Sequence, residues 1–156
     1  YIGGSVPNPT YKAVCSGATG HAEAIAVTFD PAQLAYGDLL DVFMATHDPS
    51  QLNRQGNDIG TQYRSAIFPL DDAQRAEAGA AIARWNAEHP GQQAVTTIEG
   101  FSEGRQEAEW YPAEDYHQEY WEGEGQRNPY CLAVIPPKLQ KLRKSFAARA
   151  KAQHTL

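Results

Sequence analysis

Apolar residues along this chain recur in two patterns, and each pattern predicts a different element. Spacings of three and four residues indicate helices with one buried face, and they occur over residues 36–47, 71–88, 112–121 and 137–152. Short runs rich in β-branched and aromatic residues indicate strands, over residues 25–29, 64–70 and 94–98. Helices and strands are therefore expected to alternate along the chain.

The segments between these elements are long and rich in turn-forming residues. Residues 1–23 contain many Gly, Pro, Ser and Thr, and residues 48–63 are mostly polar. Loops of that length are often functional. The pattern predicts an α+β fold, a two-layer sandwich with helices on one face of a small mixed or antiparallel sheet, similar to a ferredoxin-like core with long coil segments. The 156 residues suit a single domain over 1–156.

Composition and charge exclude several classes of protein. The net charge of −6 argues against nucleic acid as the main partner, because phosphate binding requires clustered Lys and Arg. No stretch is apolar enough to predict a membrane span, and the first residues lack the basic start and apolar run of a signal peptide. Two cysteines are too few for a disulfide scaffold, so a reducing cytoplasm is expected.

Residue spacing predicts no metal site. His117 and Glu114 are close in sequence, but no second His lies at a ligand spacing, and the carboxylate fits a helix N-terminus equally well. Residues 21–23 (His-Ala-Glu) match the first half of a zinc deaminase signature, whose Pro-Cys-x-x-Cys half is absent from the sequence. We therefore expect no bound metal or cofactor.

Four polar residues are candidates for chemistry, each with a structural alternative. Glu23 precedes an apolar run, where a half-buried carboxyl can hold and donate a proton, or it is a solvated strand end. Tyr11 and Tyr63 can donate hydrogen bonds to an oxygen that gains negative charge, or they pack as amphipathic side chains. Asp58 can orient Tyr63 or a water, or it bonds its own backbone in a turn. Taken singly, each residue favours the structural alternative.

The two cysteines differ in their expected surroundings. A reactive Cys15 would need a nearby cation, for which His21 is a candidate, but a buried and inert thiol is favoured. Cys131 follows Asn128-Pro129-Tyr130 in a turn-like region and is expected to be the more accessible of the two.

Several motifs, in order and in register, resemble the type A peptide methionine sulfoxide reductases. The motifs are Pro-Asn-Pro-Thr-Tyr at 7–11, Val-Cys-Ser-Gly at 14–17, Thr-Gly-His-Ala-Glu at 19–23, His-Asp-Pro at 47–49, Gln-Gly-Asn-Asp at 55–58, Gly-Thr-Gln-Tyr-Arg-Ser at 60–65 and Tyr-Pro-Ala-Glu-Asp-Tyr-His-Gln at 111–118. The match extends from residue 1 to about residue 131. Such a set is far more specific than any one motif alone.

The resemblance implies a fold and an activity. The family has an α+β sandwich with a small central sheet, and it reduces the S-epimer of methionine sulfoxide, free or in proteins. A cysteine thiolate attacks the sulfoxide sulfur and becomes a sulfenic acid, which a second cysteine usually converts to a disulfide. Thioredoxin or another thiol then reduces that disulfide. A monomeric repair enzyme that acts on oxidised methionine is therefore expected.

The resemblance also assigns roles to individual residues. Glu23 matches the family's proton donor, Tyr11 and Tyr63 match the phenols that hold the sulfoxide oxygen, and Asp58 matches a carboxylate of the same polar network. Substrate binding is thereby expected at Tyr11, Glu23 and Tyr63. Cys131 lies where resolving cysteines occur, and it is either that residue or a bystander in a variant that an external thiol regenerates.

One family motif is absent from the sequence. The nucleophile of the family lies in a Gly-Cys-Phe-Trp motif upstream of the position matched by Tyr1, and residues 1–156 contain no such motif. We therefore expect an N-terminally truncated domain without its first strand and with little activity of its own. The alternatives are an inactive relative that binds methionine sulfoxide and a hydrolase that uses Cys15 with His21.

Overall fold

The computed structural model describes residues 1–147, which form two compact units. The first unit is Tyr1–Glu114 and the second begins at Asp115. Residues 148–152 of the predicted C-terminal helix lie outside the described residues. A single domain over residues 1–156 stays a prediction.

Three helices belong to the first unit: α1 (Tyr11–Cys15), α2 (Tyr36–Thr46) and α3 (Asp72–Glu88). Side-chain caps fix where two of them begin. The Thr10 hydroxyl accepts the N–H of Ala13 at 3.3 Å, and the Asp71 carboxylate accepts the N–H of Gln74 at 2.7 Å. The helices predicted over residues 36–47 and 71–88 are confirmed. Helix α1 was not predicted, because a single turn is too short to show a hydrophobic period.

Six short strands form three separate pairs in the first unit. Antiparallel hairpins join β1 (Arg54–Gln55) to β2 (Asp58–Ile59), and β5 (Phe101–Ser102) to β6 (Arg105–Gln106). The third pair is parallel and joins β3 (Ala66–Ile67) to β4 (Thr97–Ile98), with α3 as the crossover between them. The α+β character and the long coil segments are confirmed. The strands predicted over 64–70 and 94–98 are present but much shorter.

The strand predicted over residues 25–29 is wrong. These residues pair with no strand within residues 1–147, and the side chains of Ile25 and Val27 are 86% and 51% exposed. Composition indicates an extended backbone, but a strand also requires a neighbour that satisfies its N–H and C=O groups. The apolar run therefore lies unpaired with any strand of residues 1–147 and mostly exposed at the surface of the first unit.

The core of the first unit lies where α2 packs on α3. One cluster joins Leu40 of α2 to Ile67 of β3 and to Ala78 and Ala81 of α3. A neighbouring cluster consists of Met44, Trp85 and Ala94. The small alanines on α3 allow close helix packing, which places the β3–α3–β4 unit firmly against α2. None of the helices within residues 1–147 has the length and apolar content that crossing a bilayer requires.

In the part of the second unit that the structure describes, residues 115–147, there are three 3₁₀ turns and one helix. The turns are Asp115–His117, Tyr120–Glu122 and Glu124–Arg127, and the helix is α4 (Pro129–Ser145). The α-helix predicted over 112–121 is wrong, because Glu119 has a φ of 50° and a left-handed residue interrupts the helical path.

Helix α4 begins earlier than the prediction over 137–152. The Asn128 side chain accepts the N–H of Tyr130 at 3.0 Å, and Pro129 occupies the first helical turn, where a missing N–H costs nothing. The helix then continues through Pro136 and Pro137, although the sequence pattern predicts that a helix begins at Pro137.

Candidate active site

Helix α1 brings Tyr11 and Cys15 together on one face, since residues four apart on a helix are neighbours. The Cys15 side chain hydrogen-bonds the Tyr11 phenol. Cys15 is exposed, so the prediction of a buried thiol is wrong. The same helix buries Val14 instead, which turns the cysteine outward to the solvent-accessible side.

Electrostatics show which groups surround Tyr11. The hydrogen bond and negative charge of Cys15, then burial, then the charges of Glu23 and Tyr63 raise the pKa of the Tyr11 phenol to about 12. Glu23 and Tyr63 therefore lie near Tyr11, although they are distant in sequence. The three residues predicted to bind substrate come together in the first unit.

Tyr63 has the same neighbours and one more. Burial raises the pKa of its phenol, followed by the charges of Glu23, Cys15 and Asp58, while a hydrogen bond from Gln62 lowers it. Asp58 therefore lies within electrostatic range of Tyr63. Both phenols keep their protons well above neutral pH and remain hydrogen-bond donors.

Glu23 is held through its backbone. Its N–H donates to the carbonyl oxygen of Gln62 at 2.9 Å. Glu23 is exposed, which agrees with the solvated alternative that its local sequence favours and not with a half-buried carboxyl. The apolar run that follows Glu23 does not bury it, because residues 24–28 are themselves exposed.

An ion pair fixes the turn that carries Tyr63. Arg64 donates two hydrogen bonds to the Glu99 carboxylate, at 2.9 and 2.8 Å, and a third to the carbonyl oxygen of Thr61 at 2.9 Å. Thr61 begins the 3₁₀ turn Thr61–Tyr63. The turn is thus tied to Glu99, which directly follows β4.

Glu114 fixes the start of α1. One carboxylate oxygen accepts the N–H of Tyr11 at 2.8 Å and the other accepts the hydroxyl of Tyr1 at 2.6 Å. A carboxylate at a helix N-terminus satisfies a donor that the helix itself leaves unpaired. From the sequence, Glu114 is a candidate only for a metal ligand or a local cap, because 103 positions separate it from Tyr11.

His21 has a structural role. It is 2% exposed, its Nδ1 accepts the N–H of Gly4 at 3.1 Å, and its Nε2 donates to the carbonyl oxygen of Val6 at 2.9 Å. With both ring nitrogens engaged by the backbone, His21 does not serve as a base for Cys15. Residues 1–147 contain no group of three side chains suited to a metal ion.

The site therefore presents two protonated phenols and a carboxyl group to one region of the surface. Donors aimed at one place stabilise an oxygen that gains negative charge, and a carboxyl can supply a proton to it. The peptide methionine sulfoxide reductase family matches residues 1–150 of the chain.

The chain belongs to this family.

Relatives from bacteria share most of the sequence. The peptide methionine sulfoxide reductase MsrA of Erwinia tasmaniensis is 67% identical over 148 residues, which are 95% of this chain and 79% of the relative. The protein of the same name from Deinococcus radiodurans is 53% identical over 150 residues, which are 94% of this chain and 68% of the relative.

Solved structures of the family share the fold. Mxr1 from Saccharomyces cerevisiae in reduced form is 35% identical with a TM-score of 0.67, over 80% of this chain and 65% of that one. Methionine sulfoxide reductase A of Corynebacterium diphtheriae is 35% identical with a TM-score of 0.62, over 83% and 64%. The chain thus spans a little under two thirds of these two solved proteins.

Cys131, the candidate resolving cysteine of this reductase-family chain, lies in the second unit. It is half-buried in the first turn of α4, not in an open turn. Cys15 is the more exposed of the two, so the predicted order of accessibility is reversed.

Proposed function

We propose that the protein reduces the S-epimer of methionine sulfoxide, free or within oxidised proteins, to methionine. The observation that supports this proposal is the convergence of Tyr11, Glu23 and Tyr63 in one electrostatic neighbourhood. The sulfoxide S–O bond is strongly polar, and its cleavage needs hydrogen-bond donors and a proton at the oxygen.

Each residue has a distinct task in this proposal. The phenols of Tyr11 and Tyr63 donate hydrogen bonds to the sulfoxide oxygen, and Glu23 delivers a proton to it. Asp58 adjusts the position and charge of Tyr63. The phenols suit this task because their raised pKa values keep them protonated.

The redox step requires a cysteine thiolate. It attacks the sulfoxide sulfur, the S–O bond breaks, and methionine and a cysteine sulfenic acid result. We assign the attack to the cysteine of the family's Gly-Cys-Phe-Trp motif, which residues 1–156 do not contain. A thiol, from Cys131 or from outside, then condenses with the sulfenic acid to a disulfide and water, and thioredoxin or another dithiol reduces the disulfide.

The test measures methionine released from each epimer of methionine sulfoxide, with dithiothreitol as reductant. The natural polypeptide that contains residues 1–156 is expected to consume the S-epimer and to leave the R-epimer. Glu23→Gln and Tyr63→Phe are each expected to lower kcat/KM about a hundredfold. Glu88→Gln, an exposed change at the end of α3, is the matched control. Absence of S-epimer turnover by the natural polypeptide would overturn the proposal.

The chain of residues 1–156 by itself is expected to bind methionine sulfoxide with little turnover. Chemical-shift changes at Tyr11 and Tyr63 during a titration with the S-epimer would measure this binding. A chain that binds neither epimer would count against the assignment of Tyr11, Glu23 and Tyr63.

A second experiment addresses the reductant. If Cys131 resolves the sulfenic acid, Cys131→Ser removes turnover that depends on thioredoxin and leaves turnover with dithiothreitol. Equal activity of the variant with both reductants would instead make Cys131 a bystander.

A further inference from the structure

Gln62 is a buried polar residue at the centre of the candidate site. It lies in the 3₁₀ turn Thr61–Tyr63, between exposed Thr61 and half-buried Tyr63, and only 4% of its surface is exposed. A buried amide must satisfy its donors and acceptor or lose stability. Its hydrogen bonds therefore show what this residue holds in place.

Gln62 connects the three segments that carry the acid and the phenols. Its backbone carbonyl accepts the N–H of Glu23 at 2.9 Å. Its side-chain Nε2 donates to the carbonyl oxygen of Cys15, the last residue of α1, at 3.2 Å. Tyr63 follows it in the chain and is hydrogen-bonded by the same carboxamide.

The fit around the carboxamide is tight. A Cβ at Gly60 would overlap the end of the Gln62 side chain, and Gly60 has a φ of +151°, so a larger residue there must displace the carboxamide. The other amide atom, Oε1, is buried and has no hydrogen-bond partner within residues 1–147. Reversing the amide would place an oxygen against the Cys15 carbonyl oxygen, so the donor must face Cys15.

We propose that Gln62 is a positioning residue that fixes α1, Glu23 and Tyr63 relative to one another, so that the two phenols and the carboxyl meet at one sulfoxide oxygen. This inference rests on the proposed function and deepens it. The unpaired Oε1 costs stability, and a side chain chosen for stability alone would avoid that cost. The donor to Cys15 accounts for an amide at this place.

Three side chains similar to Gln fail to meet this requirement. Asn is one carbon too short to span from the turn to α1. Met has the length of Gln but no donor, and an ionised Glu has acceptors only. Gln62→Met therefore removes the hydrogen-bond donor at constant side-chain length. Gln62→Glu also removes the donor, but protonation of the new carboxyl at acid pH restores one.

The first experiment compares Gln62→Met with Gln92→Met, an exposed glutamine in the turn that follows α3. In the natural polypeptide, Gln62→Met is expected to lower kcat for the S-epimer about ten- to a hundredfold with little change in KM, because displaced groups miss the reacting oxygen. Gln92→Met is expected to equal the wild type. An unchanged kcat for Gln62→Met, with an active wild type, would overturn the inference.

The second experiment follows the pH profile of Gln62→Glu. As the pH falls and the new carboxyl becomes protonated, it regains an O–H donor to Cys15. The ratio of its kcat to that of the wild type should therefore rise toward acid pH, while the ratio for Gln62→Met stays flat. A flat ratio for both variants would indicate a purely structural residue and refute the proposal.

The third experiment needs no activity. The chain of residues 1–156 carries ¹³C at the ring carbon that bears the Tyr hydroxyl, and the Tyr11 titration is followed by NMR. Gln62→Met should shift the Tyr11 midpoint downward, because Glu23 and Tyr63 move away from it. Gly60→Ala, which displaces the carboxamide without removing it, should act in the same direction and decides the matter if Gln62→Met does not fold. An unmoved midpoint in the folded variants contradicts the proposal even if the protein proves to have another function.

Discussion

The phenol of Tyr11 owes its properties to a residue on its own helix. Cys15 contacts it one helical turn later, and this hydrogen bond is the largest cause of a pKa of about 12. A phenol with so high a pKa remains a neutral donor at any physiological pH. The exposed Cys15 thus has a clear electrostatic effect on the site.

Replacing this cysteine should be visible in the titration of its neighbour. Cys15→Ala is expected to lower the pKa of Tyr11 from about 12 toward 10, because the hydrogen bond and the charge of Cys15 both disappear. NMR of ¹³C-labelled tyrosine rings over pH 8 to 13 measures this change. Lys12→Ala, on the same helix, is the control and should leave the midpoint in place. A midpoint that stays near 12 in Cys15→Ala would show that burial and Glu23 dominate instead.

Among the elements, the short turn of Tyr63 depends on an ion pair for its position. The Arg64 and Glu99 side chains are only 14% and 25% exposed, and they form two parallel hydrogen bonds. Burial raises the pKa of Glu99, but the hydrogen bonds from Arg64 and Thr97 and the charge of Arg64 outweigh it, so the pKa lies below its ordinary value of 4.5. The pair therefore stabilises the fold most when Glu99 is ionised.

The sign of the pH dependence follows from that lowered pKa. The stabilisation is fully present above the ordinary value of 4.5 and is lost as the pH falls through the folded-state value. Glu99→Gln is expected to lower the free energy of unfolding by about 1–2 kcal/mol at pH 7, and by much less at pH 3. Urea denaturation at both pH values measures the difference.

A second ion pair provides the control. Arg84 and Asp41 also lie 2.8 Å apart, but their side chains are 51% and 43% exposed. Asp41→Asn should therefore change the free energy of unfolding by less than about 0.5 kcal/mol at either pH. Equal effects of the two substitutions would mean that the Arg64–Glu99 pair is no more than a surface contact.

The sequence predicted those elements whose own residues determine them. Helices α2 and α3 follow from apolar spacing and, for α3, from the Asp71 cap, and the structure has them at nearly the predicted bounds. The strand predicted over residues 25–29 is wrong because a strand depends on a partner elsewhere in the chain. The helix predicted over residues 112–121 is wrong because side-chain periodicity does not reveal the left-handed backbone of Glu119.

The sequence predicts which residues belong to the candidate site, but it does not predict the hydrogen bonds that hold them in place. Tyr11, Glu23 and Tyr63 were selected weakly by local chemistry and firmly by the resemblance, and they lie together. Glu114 and Gln62, which hold them, were missed because their partners are distant in sequence. The one available signal for Gln62 was its place in the Gly-Thr-Gln-Tyr-Arg-Ser motif at 60–65.

On the scale of the first unit, the site and the core occupy different parts of the chain. The core is built from α2, α3 and the parallel pair β3–β4. Tyr11 begins the short helix α1, Glu23 lies in the loop that follows it, and Tyr63 ends the 3₁₀ turn before β3. Loops positioned by a rigid scaffold commonly carry function, so the stability of the scaffold and the geometry of the site should respond separately to substitution.

A core truncation tests this separation. Leu40 is 4% exposed and packs with Ile67, Ala78 and Ala81, so Leu40→Ala should lower the free energy of unfolding by about 3 kcal/mol through lost burial and a cavity. Leu52 is 71% exposed, and Leu52→Ala should cost less than about 0.5 kcal/mol. Urea midpoints measure both changes.

The same samples report on the site below the unfolding transition. Because Leu40 contacts none of the residues that shift Tyr11, the Tyr11 midpoint should stay at about 12 in the folded fraction of Leu40→Ala. A midpoint that fell together with the stability would show that strain in the core reaches α1 and Tyr63. In that case the hydrogen bonds of Gln62 would be a consequence of global packing, and their local role in aligning the phenols would have to be abandoned.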